Sequence, residues 1–171
     1  MIPLLMMLSC APKAPPPVSD ATVAGPRTMA ESRPSGVVYE GVFTDEMYAF
    51  SIPVQEGWVA EAGPETGLMR VSMSHVATST HVEIWVFPGS GLEPRVREGC
   101  TWTFQSKGRP IQAADQTLVA TCVPDDALQR RVYGTIFEHG GQTVQLEVQP
   151  PNDALLEGRS IAEALLAGLA W

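Results

Sequence analysis

The sequence predicts an α+β domain: a mostly antiparallel β-sheet with a helix near the C-terminus packed on one face. Three observations carry this. From residue 47 onward, short runs alternating at period two are separated by glycine and proline. Gly140-Gly141 stands between two such runs, where glycine supplies the positive φ of a tight hairpin. The end of the chain then switches to a four-residue apolar spacing.

Residues 47–54 read as a strand entering a turn at Gln55-Glu56-Gly57, and residues 58–62 as a strand leaving it. In residues 68–75, Met69, Val71 and Met73 alternate with Arg70, Ser72 and Ser74. In residues 80–87, Val82, Ile84 and Val86 share one face, and His81, Glu83, Trp85 and Phe87 the other. A second, aromatic-bearing face implies a cover, either a helix or a loop. Residues 88–99 form a connection. Residues 100–106 pair with 117–123, and residues 129–138 pair with 142–149 through His139-Gly140-Gly141. Ser160-x-x-Glu163 matches a capping box. Ile161, Leu165 and Leu169, with Ala162 and Leu166 beside them, make the apolar stripe of a helix of about ten residues, too short to persist unless it packs on the sheet. Gly158 is expected to interrupt any earlier turn.

The chain has 171 residues, with 19 acidic and 11 basic side chains and a formal charge of -8. Residues 37–171 hold 17 acidic and 8 basic side chains, so the acidic excess belongs to the folded part. That balance excludes a nucleic-acid partner, which requires a dense basic face. No stretch reaches the length of a membrane-spanning helix.

The N-terminus is apolar through Leu8 and reaches a cysteine at Cys10. As a helix, residues 1–10 would span about 15 Å, half of a bilayer core. The segment has the character of a secretory signal, and Leu8-Ser9-Cys10 resembles a bacterial lipoprotein lipobox, with Ser9 at the small position. Met7 stands where leucine is usual, and no basic residue precedes Lys13; a start codon further upstream would supply one. Residues 11–36 hold six of the fifteen prolines and no aromatic residue, the composition of a tether. A flexible coil of this length averages about 25–30 Å, and a polyproline form reaches about 80 Å. The expected organisation is a signal remnant at 1–9, a lipidated Cys10 and tether to residue 36, and one domain at 37–171. The resemblance implies a membrane anchor through Cys10. Ala11, in place of aspartate after the cysteine, implies the outer membrane facing the periplasm.

Tyr48-Ala49-Phe50-Ser51-Ile52-Pro53, followed by Gly57-Trp58, resembles the opening strand and turn of PsbP-like domains. The ending, QTVQLEVQPP followed by LLAGLAW, is similar to theirs as well. PsbP is an extrinsic photosystem II subunit, and the same fold occurs in a small Ran-binding protein and in bacterial lipoproteins. The resemblance covers most of residues 40–171. It implies a binding or accessory module, not an enzyme, and transfers no binding residue.

With Cys10 lipidated, Cys100 and Cys122 remain as a pair suited to an oxidising compartment. If they face each other, Trp102 faces Ala120 and Phe104 faces Leu118, all of one parity. Opposed residues lie about 4.5 Å apart at Cα, within the range of about 4.4–6.8 Å for a disulfide. A redox pair would favour closer spacing such as C-x-x-C.

No nucleophile elbow, zinc-protease motif or P-loop occurs. No catalytic residue, cofactor or metal is assigned. His75 and His81 flank a Ser/Thr-rich turn and, with Glu83, could converge on a metal, although solvated side chains are the simpler reading. His139 is expected in solvent, as are Glu56, Glu61, Glu65 and the Asp125-Asp126 turn. Trp58 and Trp102 read as core. Trp85 is the candidate for a helix contact or a partner surface. The function expected is a lipid-anchored extracytoplasmic binding or accessory domain with an envelope protein as partner; the alternatives are an envelope hydrolase with an unrecognised site and a purely structural lipoprotein.

Overall fold

The computed structural model describes residues 33–94, 99–107, 114, 116–124 and 130–171. Cys10, most of the tether and Asp125-Asp126 lie outside these residues. Two antiparallel sheets and a helix make up the body. Strands β1 (Gly36–Tyr39), β2 (Val42–Asp45) and β3 (Phe50–Pro53) form a three-stranded sheet in that order. Strands β4 (Trp58–Ala62), β5 (Met69–His75), β6 (Thr80–Pro88), β7 (Cys100–Lys107), β8 (Thr117–Pro124), β9 (Val132–His139) and β10 (Gln142–Gln149) form a seven-stranded sheet in the order β4-β5-β6-β10-β9-β8-β7. The last strand therefore lies at the centre, between β6 and β9.

The period-two alternation decides which face is apolar. Val82, Ile84 and Val86 of β6 sit opposite Val148, Leu146 and Val144 of β10. All six are buried. Helix α1 (Leu155–Ala167) packs on this face against β9 and β10 and also touches β3. It contributes Ala162, Leu165 and Leu166, and Leu169 follows just beyond it. Phe43, Phe50 and Ile52 of the small sheet close the same core. The chain end returns to β3: Ser51 and Ala170 exchange backbone hydrogen bonds of 2.8 and 2.9 Å, and Trp171 packs on Phe50 at 5.2 Å between ring centroids. Among the described residues, no helix is long and apolar enough to cross a membrane.

Several expectations require correction. Strands β1 and β2 were not foreseen; they form a hairpin closed by Glu40 and Gly41, whose φ values of 47° and 76° suit a two-residue turn. The described body also takes in residues 33–36, placed by composition in the tether: Ser35 N–H donates to Gly63 O at 2.7 Å, and Glu65 N–H to Arg33 O at 2.6 Å. The strand expected at 47–54 begins only at Phe50, because Asp45 Oδ1 accepts hydrogen bonds from the backbone N–H groups of Met47 (2.9 Å) and Tyr48 (2.8 Å) and folds residues 46–49 into a turn.

Helix α1 starts at Leu155, ahead of Ser160, so the capping box does not form; Ser160 Oγ instead donates to Leu156 O at 3.1 Å, one turn back. Gly158 does not break the helix. A Cβ there would stand 3.3 Å from both Pro150 Cγ and Tyr133 Cβ, so the missing side chain is what lets the helix approach β9.

One ion pair joins the two sheets. Arg70, near the start of β5, is 1% exposed and Asp45, at the end of β2, is fully buried. Arg70 Nε donates to Asp45 Oδ2 at 2.7 Å. Arg70 Nη1 donates to the carbonyls of Glu65 (2.9 Å) and Gly67 (2.8 Å), and Tyr48 presents its ring 5.0 Å from the guanidinium carbon. Nη2 has no hydrogen-bond partner among the described residues. Asp45→Asn should lower stability by about 3–5 kcal/mol, because it leaves a buried charge uncompensated while an amide oxygen remains to hold the turn. Adding Arg70→Met should restore part of the loss. Urea unfolding midpoints of the three chains check this, and an unchanged midpoint for Asp45→Asn would contradict it.

Candidate functional site

The seven-stranded sheet has two working faces. The face away from α1 carries a polar row. Register sets Ser74 opposite His81 and Ser72 opposite Glu83. Ser74 Oγ lies 3.0 Å from His81 Nδ1, and His81 Nε2 lies 3.1 Å from Glu83 Oε1. Trp85 Nε1–H donates to Glu83 Oε2 at 3.1 Å, and the Trp85 ring stacks with Phe87 at 6.2 Å and 7° between planes. On the neighbouring strand Gln145 Nε2 donates to Glu147 Oε1 at 2.7 Å, and both residues are buried. Trp85 is thus held by its own strand; α1 lies on the opposite face, which removes the helix contact expected for it.

Trp102 belongs to this outward face and not to the helix-side core. It extends from edge strand β7 past Ala120 to Gly134, where an added Cβ would meet its ring at 2.7 Å. Two small residues on β8 and β9 make the seat.

The histidines do not converge. His75 pairs with Thr80, so His81, one residue further on, projects from the other face of the sheet. The metal arrangement of His75, His81 and Glu83 is therefore excluded by parity, and no group of three or more metal-ligating side chains occurs among the described residues. His139 is not simply solvated: it is half-buried, and its ring stacks on Trp171 at 4.0 Å and 23°. Glu56, Glu61 and Glu65 are exposed at separate places and form no acid pair.

Cys100 and Cys122 are joined in a disulfide with Cα atoms 5.7 Å apart. Their register differs from that expected. Cys122 faces Trp102, and Cys100 faces Pro124, so the bond joins diagonal neighbours across β7 and β8. A two-residue shift preserves parity, and the alternation pattern cannot distinguish the two registers.

The helix-side face ends in an open groove of about 310 Å³ between α1 and the tip of the β5–β6 hairpin. One wall is Trp58, edge-on to His75 with ring centroids 5.3 Å apart at 65°. Thr78 Oγ1 links His75 Nδ1 (3.0 Å) to Thr80 Oγ1 (2.7 Å). The helix supplies Glu157, Ser160, Ile161, Ala164 and Leu165, and Gln55 from the turn before β4 also lines the groove. Tryptophan and histidine here were legible as residues but not as a site, because only the Trp58–His75 register and the helix position bring them together.

This arrangement of antiparallel sheet and single C-terminal helix is a PsbP-like α+β fold. A solved structure that matches it is the solution structure of cyanobacterial PsbP (CyanoP) from Synechocystis sp. PCC 6803, with a TM-score of 0.52 over 79% of this chain and 95% of that one. Identity is 8%, so the likeness is one of fold. No protein-family model matches the sequence, and no curated protein is significantly similar to it. In this chain FSIP is β3, Gly57-Trp58 leads into β4, and QTVQLEVQ is β10.

Removing the Cys100–Cys122 bond should cost about 3 kcal/mol in the chain-entropy model, given a sequence separation of 22. Urea unfolding with and without reductant measures it. A protein with free thiols and an unchanged midpoint after reduction would contradict the cross-link.

Proposed function

We propose that the chain is a lipid-anchored extracytoplasmic protein, held at the outer membrane and facing the periplasm, whose PsbP-like domain is a non-enzymatic binding or accessory module for an envelope protein. The observation that carries the binding role is a flat apolar patch on the small sheet. Val37, Tyr39 and Val42 lie on one face of the β1–β2 hairpin and are 51%, 71% and 38% exposed. Apolar side chains gathered on a short sheet face mark an interaction surface more often than scattered ones do. Trp85 supplies a second candidate surface on the outward face of the large sheet. The lipobox-like residues before Cys10 and the proline-rich segment after it support the anchor.

Cys10→Ala should move the protein from the membrane fraction to the soluble fraction, as read by fractionation. Tyr39→Ser in the anchored chain should reduce cross-linking to the envelope partner by tenfold or more without changing thermal stability. An identical cross-linking pattern for Tyr39→Ser and the unaltered chain would remove the patch from the proposal and leave the anchor standing.

The enzyme reading draws on the Ser74–His81–Glu83 row, in which a hydroxyl, an imidazole and a carboxylate are linked at 3.0 and 3.1 Å. The three sit on a flat sheet face formed by extended strands, an arrangement that cross-strand pairing produces without catalysis. A fluorophosphonate probe should leave Ser74 unlabelled. Labelling that disappears in Ser74→Ala would favour the hydrolase.

A further inference from the structure

We propose that the groove between α1 and the β5–β6 hairpin is a binding site for a neutral saccharide. The inference deepens the binding-module reading and does not depend on the lipid anchor.

The groove has a fixed aromatic wall. Trp58 is the first residue of β4 and faces His75 in register, so its backbone is held by the sheet. The His75 ring lies 5.3 Å from it, centroid to centroid, inclined at 65°. The turn before Trp58 is shaped for that contact: Gly57 has φ of +82°, and a Cβ there would lie 2.9 Å from His75 Nε2. Any other residue at 57 would be strained in backbone and would push the imidazole aside.

Apart from the Glu157 carboxylate, the polar groups around this wall are hydroxyls, an amide and an imidazole. The hydroxyls of Thr78 and Thr80 are wired to His75, and each hydroxyl both donates and accepts. Ser160 spends its proton on Leu156 O, which leaves its oxygen as an acceptor. The side chains of Gln55 and Glu157 make no hydrogen bond or ion pair within the described residues. An amide and a carboxylate that face a groove without partners suit a ligand rich in hydroxyl groups. Ile161, Ala164 and Leu165 supply apolar surface beside them.

Charge selects among ligands of this size. Among the described residues of the lining, Glu157 is the one acid, and there is no lysine or arginine. The surrounding domain carries 17 acidic against 8 basic side chains. The described lining residues include no guanidinium or ammonium to hold a phosphate or nucleotide; Arg130, which reaches the β5–β6 turn, donates to Ser79 O at 2.8 Å, and Arg159 on the helix is paired with Glu163. A pyranose ring matches what remains. Its C–H face packs on an indole, and its hydroxyls meet an amide, a carboxylate and hydroxyls. The volume of about 310 Å³ lies at the small end of ligand sites and fits one or two sugar units.

The test uses the full chain and a panel of glucose, galactose, N-acetylglucosamine and its β-1,4-linked dimer, with choline and AMP as counter-probes. Saturation-transfer NMR and calorimetry read binding to free sugars. Co-sedimentation with insoluble peptidoglycan reads binding to the polymer and separates the two sources. At least one sugar should bind in the millimolar range or tighter, about 4 kcal/mol. Trp58→Ala, Gln55→Ala and Glu157→Gln should each weaken it tenfold or more, and Val59→Ala, exposed on the other face of β4, should leave it unchanged. Gln55 and Glu157 are exposed, so their variants keep the fold and preserve the test if Trp58→Ala does not. Absence of saturable binding to every sugar and to peptidoglycan, tighter binding of choline or AMP, or sugar binding indifferent to all three variants would overturn the proposal. None of these outcomes touches the fractionation of Cys10→Ala or the cross-linking of Tyr39→Ser, so the two readings fail separately.

Discussion

The contact on which the arrangement of the two sheets depends is the buried pair of Asp45 and Arg70. Neither residue reaches solvent, so each charge must be met by protein atoms. Asp45 divides its oxygens between the guanidinium and the turn into β3. Arg70 divides its nitrogens between Asp45 and the loop after β4. The Arg70 carbonyl in turn accepts the Ser35 hydroxyl, which brings in the entry to β1. An apolar pair could fill the same space at comparable stability. It could not specify, at one point, where β1, β2, the β2–β3 turn and β5 meet. The role of the pair is thus geometrical, and Phe43, Phe50 and Ile52 reach the common core from the position it sets.

The large sheet was legible from the sequence because burial on one face writes itself as alternation. Met73, Val82, Ile84, Val144 and Leu146 all fall where period two puts them. What escaped detection has identifiable causes. The β1–β2 hairpin leaves Val37, Tyr39 and Val42 in solvent, so its pattern lacks the apolar-in, polar-out contrast that identifies a strand. The early turns of α1 were hidden by Gly158, which propensity scores as a breaker and packing requires as a point of close approach. The Cys100–Cys122 pairing was legible, but its register was not, since parity is indifferent to a shift of two.

The groove was less legible than the fold. Its aromatic wall comes from β4, its hydroxyls from the β5–β6 turn and its other wall from α1. No spacing in the chain announces that combination. The separation of His75 from His81 follows from the turn: with Thr80 as the partner of His75, the next residue must point to the other side. That step needs the pairing, which alternation alone does not provide. The outward face shows the reverse case. Its polar and aromatic residues were visible, but the interior position of Gln145 and Glu147 was not, because β10 is enclosed on both faces and still carries polar residues.

The placement of β10 bears on how the protein is made. Its neighbours are β9, just before it, and β6, reached only after the chain has run out to the far edge of the sheet and back. Ile84 therefore waits for Leu146 before its side of the sheet is closed. A growing polypeptide exposes β6 as an unfinished edge until nearly all of it has been made. The sheet consolidates at the end, when one strand, its helix and the terminal bridge to Ser51 arrive together. Truncation near the C-terminus would then remove the keystone of the body.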